Sequence, residues 1–309
     1  MKNVKKIFLI AAGVLIVAGL VLAGASFVGM DFRLGRMNSL ERSGSSFVIQ
    51  ENFDSLDINV AEATVNLVLT EESFSWVEFT DWDRLGHEVY VENETLTIIR
   101  QDRRKWYEHF APYWGTCKVD IHLTKTDFDK LKFSGVSGNF QVDDRLSFTD
   151  VELKNVSGGT FMDAKARGTF SAESVSGDIH IAEVTCENAS IKSTSGDIEV
   201  YNLKTPNGNI RAESVSGAVV LSNATAENIF MKTVSGHAAL VHSLAKTIDV
   251  KTTSGYVTGA FVQNKKLSFT VETVSGSVDV PESQSYDPDC TVHVETVSGD
   301  VIMEKAYEN

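Results

Sequence analysis

The dipeptide Ser-Gly recurs through the second half of the chain, and this repeat limits the possible folds more than any other feature. Successive copies lie 19 to 23 residues apart. Repeats of this length are typical of architectures in which each copy is one supersecondary unit that stacks on its neighbours. The glycines of the nine copies are Gly138, Gly158, Gly177, Gly196, Gly217, Gly236, Gly255, Gly276 and Gly299.

Apolar residues alternate on both sides of each copy. With the glycine as position 0, positions −7, −5, −2, +2 and +4 are almost all apolar, as in Phe170, Ala172, Val175, Ile179 and Ile181. A period of two predicts one short strand before Ser-Gly and one after it. Ser-Gly suits a corner, since glycine accepts positive φ and the serine hydroxyl bonds nearby backbone. We therefore predict an all-β fold, a parallel β-solenoid of about nine two-strand rungs with these five positions buried.

Charged residues at position −4 support stacking of the rungs in register. In such a stack, neighbouring rungs mostly present opposite charges side by side, which stabilises cross-strand pairs. A helical repeat gains nothing from this alternation. The residues at this position are Lys154, Glu173, Lys192, Glu213, Lys232, Lys251, Glu272 and Glu295.

The N-terminus suggests a membrane anchor. Residues 7–30 carry no charge, follow Lys2, Lys5 and Lys6, and are long enough to cross a hydrocarbon core of about 30 Å. The positive-inside rule then gives a cytoplasmic stub over 1–6, a single-pass cell-membrane protein and an extracytoplasmic body. The alternative is a secretory signal peptide cleaved after Ala25.

Three segments follow the predicted anchor. We expect a linker over 31–46, a β-rich N-terminal cap over 47–130 and the Ser-Gly solenoid over 131–309. Asn93-Glu94 is predicted to form a hairpin turn within the cap.

Composition excludes several classes of function. With 28 Lys+Arg against 42 Asp+Glu, the net charge of −14 argues against nucleic acid as a partner. The three cysteines have no CxxC spacing, which excludes a zinc ribbon and argues against a disulfide framework. The chain also lacks P-loop, GxGxxG and HExxH motifs, and Asp follows Ser-Gly in only three copies. We therefore expect neither a cofactor nor a metal.

An aromatic and basic stretch within Arg100 to Trp114 is the first candidate binding site. Aromatic rings beside cations can stack on sugars, lie at a membrane interface or anchor a protein partner. The alternative is a packed lid over the first rung. The candidate residues are Arg103, Arg104, Trp106, Tyr107, Phe110, Tyr113 and Trp114.

A second candidate lies on the outward positions of two neighbouring rungs. In-register stacking places Asp178 beside Asp197 and His180 beside Glu199. Paired carboxylates with an imidazole fit the chemistry of a polysaccharide-acting envelope enzyme. A solvated acidic face explains the same residues, and we favour it.

Several segments resemble the bacterial putative-adhesin β-strand-repeat family. They are the opening from Phe53 to Val60, the strand from Val119 to Leu123 that leads into Leu131-Lys132-Phe133, and the Val-Ser-Gly copies. The resemblance covers about 47–304. It implies a non-catalytic protein that binds or scaffolds in the cell envelope, with an envelope glycan or a membrane protein as partner. Because some members belong to envelope-stress loci of Gram-positive bacteria, a modulator of such a signalling system is the alternative.

Overall fold

The computed structural model describes residue 19 and residues 42–82, 85–103, 117–262, 265–283 and 286–306, and the ordered elements from 42 onward are strands. The strands that precede the first Ser-Gly copy are β1 (Arg42–Ile49), β2 (Ser55–Asn59), β3 (Ala63–Leu69), β4 (Ser75–Trp82), β5 (Leu85–Glu92), β6 (Thr95–Asp102), β7 (Cys117–Leu123) and β8 (Asp127–Gly135). The next strands are β9 (Phe140–Val142), β10 (Ser147–Asn155), β11 (Thr160–Met162), β12 (Lys165–Ala166), β13 (Thr169–Ser174), β14 (Ile179–Ala182), β15 (Asn188–Ser193), β16 (Ile198–Tyr201) and β17 (Lys204–Glu213). The last strands are β18 (Val219–Ser222), β19 (Thr225–Lys232), β20 (Ala238–Val241), β21 (Thr247–Thr252), β22 (Val257–Val262), β23 (Leu267–Ser275), β24 (Val278–Asp279), β25 (Cys290–Ser298) and β26 (Val301–Ala306).

Each Ser-Gly corner joins a first strand to a second strand, and this pair forms one rung. First strands stack in parallel on first strands and second strands on second strands, so Phe170 of β13 lies beside Ala189 of β15 and Ile179 of β14 beside Ile198 of β16. The predicted repeat and β-solenoid are thereby confirmed. The described part of the chain has eleven rungs, because β2–β3 and β6–β7 join the stack without a Ser-Gly corner.

The spatial order of the rungs departs from chain order at both ends. At one end, β2–β3 lies between β6–β7 and β8–β9. At the other end, β25–β26 lies between β21–β22 and β23–β24. The last segment of the chain is therefore inserted into the stack, and the segment before it forms the terminal rung.

Antiparallel strands cover the N-terminal end of the stack. β5 pairs with β6, β4 with β7 and β1 with β4, all antiparallel. The predicted turn at Asn93-Glu94 joins β5 to β6, with φ values of 50° and 58°. These strands occupy backbone groups that the outermost rung would otherwise leave unpaired.

Four of the five repeat positions that were predicted to be buried lie in the core. Positions −7, −5, +2 and +4 are buried, as in Phe170 and Ile179, except in the terminal rung β23–β24, where Val278 is 45% exposed. Position −2 is on the surface, with Val175 46% exposed, so its predicted burial is wrong. The two-residue alternation of inward and outward side chains continues from −7 and −5 to −3. The residue at −3, such as Ser174, therefore points inward instead.

The prediction of a membrane-spanning anchor is corrected. Among the described ranges, no helix has the length and apolar character needed to cross a membrane. The helix predicted over 7–30 lies outside those ranges except for Gly19. From Arg42 onward the described residues form an all-β fold. The predicted single-pass topology and cell-membrane location depended on the helix and are corrected with it.

Candidate functional site

The corner glycines form a column in which each lies against the backbone of the neighbouring rung. A Cβ on Gly196 would overlap the carbonyl oxygen of Gly177, and one on Gly217 would overlap that of Gly196. Of the nine corner glycines, positive φ is confined to Gly138, Gly158 and Gly276. At most corners glycine is thus required by close approach of two backbones, and not by the φ angle that the sequence suggested.

A buried hydroxyl three residues before the glycine fixes each central corner. Ser193 Oγ accepts the N–H of Gly196 at 2.9 Å, and Thr233 Oγ1 accepts that of Gly236 at 3.0 Å. The serine of Ser-Gly does not play this role, since Ser195 is exposed. The other hydroxyls in this column belong to Ser174, Ser214 and Thr252.

Because the side chains at position −2 point outward, an elongated groove runs along the edge of the stack where the Ser-Gly corners lie. Its volume is about 630 Å³. The residues at position −2, four valines and Thr194, form one wall, and the charged residues at position −4 form the other. We call this feature the valine groove. Its walls comprise Val156, Val175, Thr194, Val215 and Val234 on one side and Lys154, Glu173, Lys192, Glu213 and Lys232 on the other.

The second strands present rings on their outer surface, which we call the aromatic face. The Phe161 ring stacks on His180 at 5.0 Å between centroids, and Tyr201, 50% exposed, follows one rung later. Further along, His237 stacks on Tyr256 at 4.1 Å. Tyr256 is 54% exposed. Partial burial lowers the pKa of His237, which favours the neutral imidazole.

Two of the proposed catalytic carboxylates bond to backbone. Asp178 Oδ1 accepts the N–H of Asp197 at 2.9 Å, and Asp197 Oδ1 accepts the N–H of Ala218 at 2.7 Å. Both side chains therefore join one rung to the next. This role accounts for Asp after Ser-Gly without any chemistry on a substrate.

The other two members of the proposed cluster form an exposed pair. His180 Nδ1 lies 3.1 Å from Glu199 Oε2, and both side chains are more than a third exposed on an open surface. Within the described ranges, no group of three or more His, Cys, Asp or Glu could hold a metal ion.

Most of the predicted aromatic binding stretch lies outside the described residues, namely Arg104, Trp106, Tyr107, Phe110, Tyr113 and Trp114. Arg103 is exposed immediately after β6, and β7 begins at Cys117. The binding role of this stretch stays a prediction.

The sequence reasoning missed both the valine groove and the aromatic face. Hydroxyl residues at −3 were an available signal for the groove, because two-residue alternation from −7 and −5 continues to −3. The aromatic face had a weaker signal, since its rings occupy outward positions +1, +3 and +5 in different rungs.

These features define a class of protein, a parallel β-solenoid built from Val-Ser-Gly repeats with a glycine column at one corner. Residues 53–304 match the model of the family described as Toastrack DUF4097, and the chain belongs to that family. This agrees with the resemblance to an adhesin-like β-repeat family, which is confirmed. The comparison with curated proteins gives no match.

Solved structures share the fold at low identity. A protein described as a putative lipid binding protein from Parabacteroides distasonis ATCC 8503 is 16% identical with a TM-score of 0.52, over 84% of this chain and 97% of that chain. A putative adhesin from the same organism is 12% identical with a TM-score of 0.50, over 85% and 97% respectively. At these identities the similarity concerns the fold alone.

Proposed function

We propose that this chain is an adhesin-like protein of the cell envelope that binds envelope glycan without catalysis. The observation that carries the proposal is the aromatic face. Its rings lie on one side of a rigid stack in which neighbouring rungs are about 4.8 Å apart. Exposed tyrosines supply flat apolar surface with a polar hydroxyl, a combination that suits the faces of sugar rings. A long polymer can contact several rungs at once.

The roles of the acidic residues support binding over catalysis. Asp178 and Asp197 each accept one backbone N–H of the next rung at Oδ1, so both carboxylates help to hold the stack. A general acid or base must reach the scissile bond, and these two carboxylates face the neighbouring rung. One structural neighbour is described as a putative adhesin, which agrees with this reading.

A sedimentation assay of the full-length chain tests the proposal. The chain is mixed with purified cell walls, with anionic liposomes or with buffer alone, over a range of salt concentrations. We expect pelleting with walls that persists at high salt, because stacking on sugars is less sensitive to screening than ion pairing. Pelleting with liposomes alone, or with nothing, would overturn the proposal.

Matched variants locate the binding surface. We expect Tyr201→Ala combined with Tyr256→Ala to abolish wall binding. Tyr286→Ala is the control, since Tyr286 is 88% exposed but lies between β24 and β25, away from this face. Trp106→Ala and Trp114→Ala test the predicted loop independently. If only the tryptophan variants lose binding, the aromatic face is not the site.

A further inference from the structure

The valine groove carries an ordered series of charges. Lys154, Glu173, Lys192, Glu213 and Lys232 occupy five successive rungs and lie next to one another in register. The alternation of sign follows the stack for about 19 Å, the length of four steps of about 4.8 Å.

Three of these charges have no ionic partner within the described part of the chain. Lys154 pairs with Glu152 and Glu213 with Arg211, each at 2.7 Å within its own strand. Glu173, Lys192 and Lys232 form no salt bridge with another described residue. Glu173 stands beside Val175, Lys232 beside Val234 and Lys192 beside Thr194, so the groove offers unpaired charges and apolar surface together.

We propose that the valine groove is the contact surface between two copies of this chain, which lie antiparallel about a twofold axis between Glu173 and Lys192. In this arrangement Glu173 of each copy faces Lys192 of the other, and Lys154 of each faces Glu213 of the other. Every one of these contacts joins opposite charges. Val175 then faces Thr194 of the second copy at the centre, and Val156 faces Val215 on either side, which places apolar surface within the contact.

The spacing of the rungs selects a second copy over an extended peptide. Side chains on one face of an extended peptide repeat about every 6.6 to 6.8 Å, whereas the rungs repeat about every 4.8 Å. A peptide therefore loses register within two rungs, and a second solenoid keeps it throughout. A parallel alignment of two copies would place like charges together, so complementarity selects the antiparallel one.

The position of the axis also gives a nearly complete overlap of the two stacks. Five rungs, up to β13–β14, lie on one side of the axis and six rungs lie on the other. The terminal rung β23–β24 lies opposite the antiparallel cap strands of the second copy and not opposite a rung. Val274 in that rung is 83% exposed and lies far from the five charged rungs that form the proposed contact.

Sedimentation equilibrium of the full-length chain tests the proposal. We expect a dimer for the natural sequence. We expect Lys192→Glu to raise the dimer dissociation constant about tenfold or more, since like charges meet at two symmetric contacts. The exchange Glu173→Lys with Lys192→Glu should restore dimerisation, because the pairs between copies are re-formed. The same exchange worsens contacts within one chain, so recovery cannot come from a better-folded monomer.

Valine variants complete the test. Val175→Lys is expected to weaken the dimer, and Val274→Lys to leave it unchanged, with circular dichroism confirming an intact β-sheet in both. Every variant retains residues 1–41. If the copies associated through that segment, all the variants would dimerise equally and none of these substitutions would change the dissociation constant. A monomer at all concentrations, a dimer that ignores Lys192→Glu, or a failure of the exchange to restore it would each overturn the proposal.

Discussion

Lys251 Nζ donates a hydrogen bond to Glu295 Oε2 at 2.7 Å, although 44 residues separate them in the chain. Glu272 is closer in sequence, yet it lies one rung further away and pairs in register with Glu295. This contact marks the place where the last segment of the chain enters the stack.

A pair of engineered cysteines distinguishes this order from simple stacking in chain order. With Lys251→Cys and Glu295→Cys, we expect rapid disulfide formation under mild oxidation, since directly paired neighbours in adjacent strands lie within disulfide reach. With Lys251→Cys and Glu272→Cys, we expect almost none, because a whole rung separates the two. Mobility on non-reducing gels after trypsin digestion measures the link. The reverse pattern would show that the rungs stack in chain order.

The glycine column predicts a severe effect from the smallest possible side chain. Gly217→Ala places a methyl group against the carbonyl oxygen of Gly196, which is backbone and cannot move without displacing its rung. We expect a loss of about 3 kcal/mol in the free energy of unfolding. Gly44→Ala is the control, because a Cβ there lies 3.9 Å from the nearest atom, Phe79 O. Urea denaturation should separate the two variants clearly, and equal midpoints would contradict the close approach.

The two serines of one repeat should differ in importance, in the opposite sense to the sequence motif. Ser193→Ala leaves the buried N–H of Gly196 without its acceptor, at an expected cost of about 1 to 2 kcal/mol. Ser195→Ala, within Ser-Gly itself, should change stability by less than about 0.5 kcal/mol, because that side chain is exposed. Ser193→Thr should retain most of the stability, since Thr233 holds the same position in its rung. Thermal unfolding of the three variants checks this order.

The parallel β-solenoid could be predicted from the sequence, because the apolar alternation within one strand and the charges at −4 on neighbouring strands are both visible there. The corner was harder to predict. Ser174 at −3 and Val175 at −2 are both small, and only the path of the backbone decides which of them faces the core.

The order of the terminal rungs could not be read from the sequence for a different reason. Glu272 and Glu295 hold the same repeat position, so either segment satisfies Lys251 and either buries the same apolar columns. The aromatic face was hidden because Tyr201 and Tyr256 occupy different repeat positions, and only stacking brings their rungs onto one surface.

The three thiols should be inert in the folded protein. Cys117, Cys186 and Cys290 are buried and free, and burial raises their pKa to about 11, about 12 and about 11 respectively. Since the thiolate is the reactive species, we expect alkylation by iodoacetamide at pH 8 to be slow in buffer and fast in urea. Mass spectrometry counts the modified thiols. Rapid modification of the native protein would contradict their burial.

The same thiols give stability a defined dependence on alkaline pH. Their pKa is higher in the folded chain than the value of about 8.5 in the unfolded chain, so folding favours the protonated form. Their contribution is complete below about pH 8.5 and is lost as the pH rises toward the folded values. Cys186→Ala should therefore flatten the alkaline fall in stability, as measured by urea denaturation between pH 8 and pH 11. An unchanged slope would assign the fall to other groups.

Asp197 separates binding from catalysis most directly. Its Oδ1 accepts the N–H of Ala218, and the amide oxygen of asparagine can accept the same bond. We therefore expect Asp197→Asn to keep both stability and wall binding, and Asp197→Ala to cost about 1 kcal/mol by leaving the N–H without that acceptor. A catalytic carboxylate would behave differently, because Asp197→Asn would then abolish glycan release while the fold stayed intact. Assays of soluble sugar released from cell walls, run beside the pelleting assay on the same variants, decide between the two. Release by the natural chain that disappears in Asp197→Asn would refute the non-catalytic proposal, since a carboxylate used only to join rungs has no reason to require its charge.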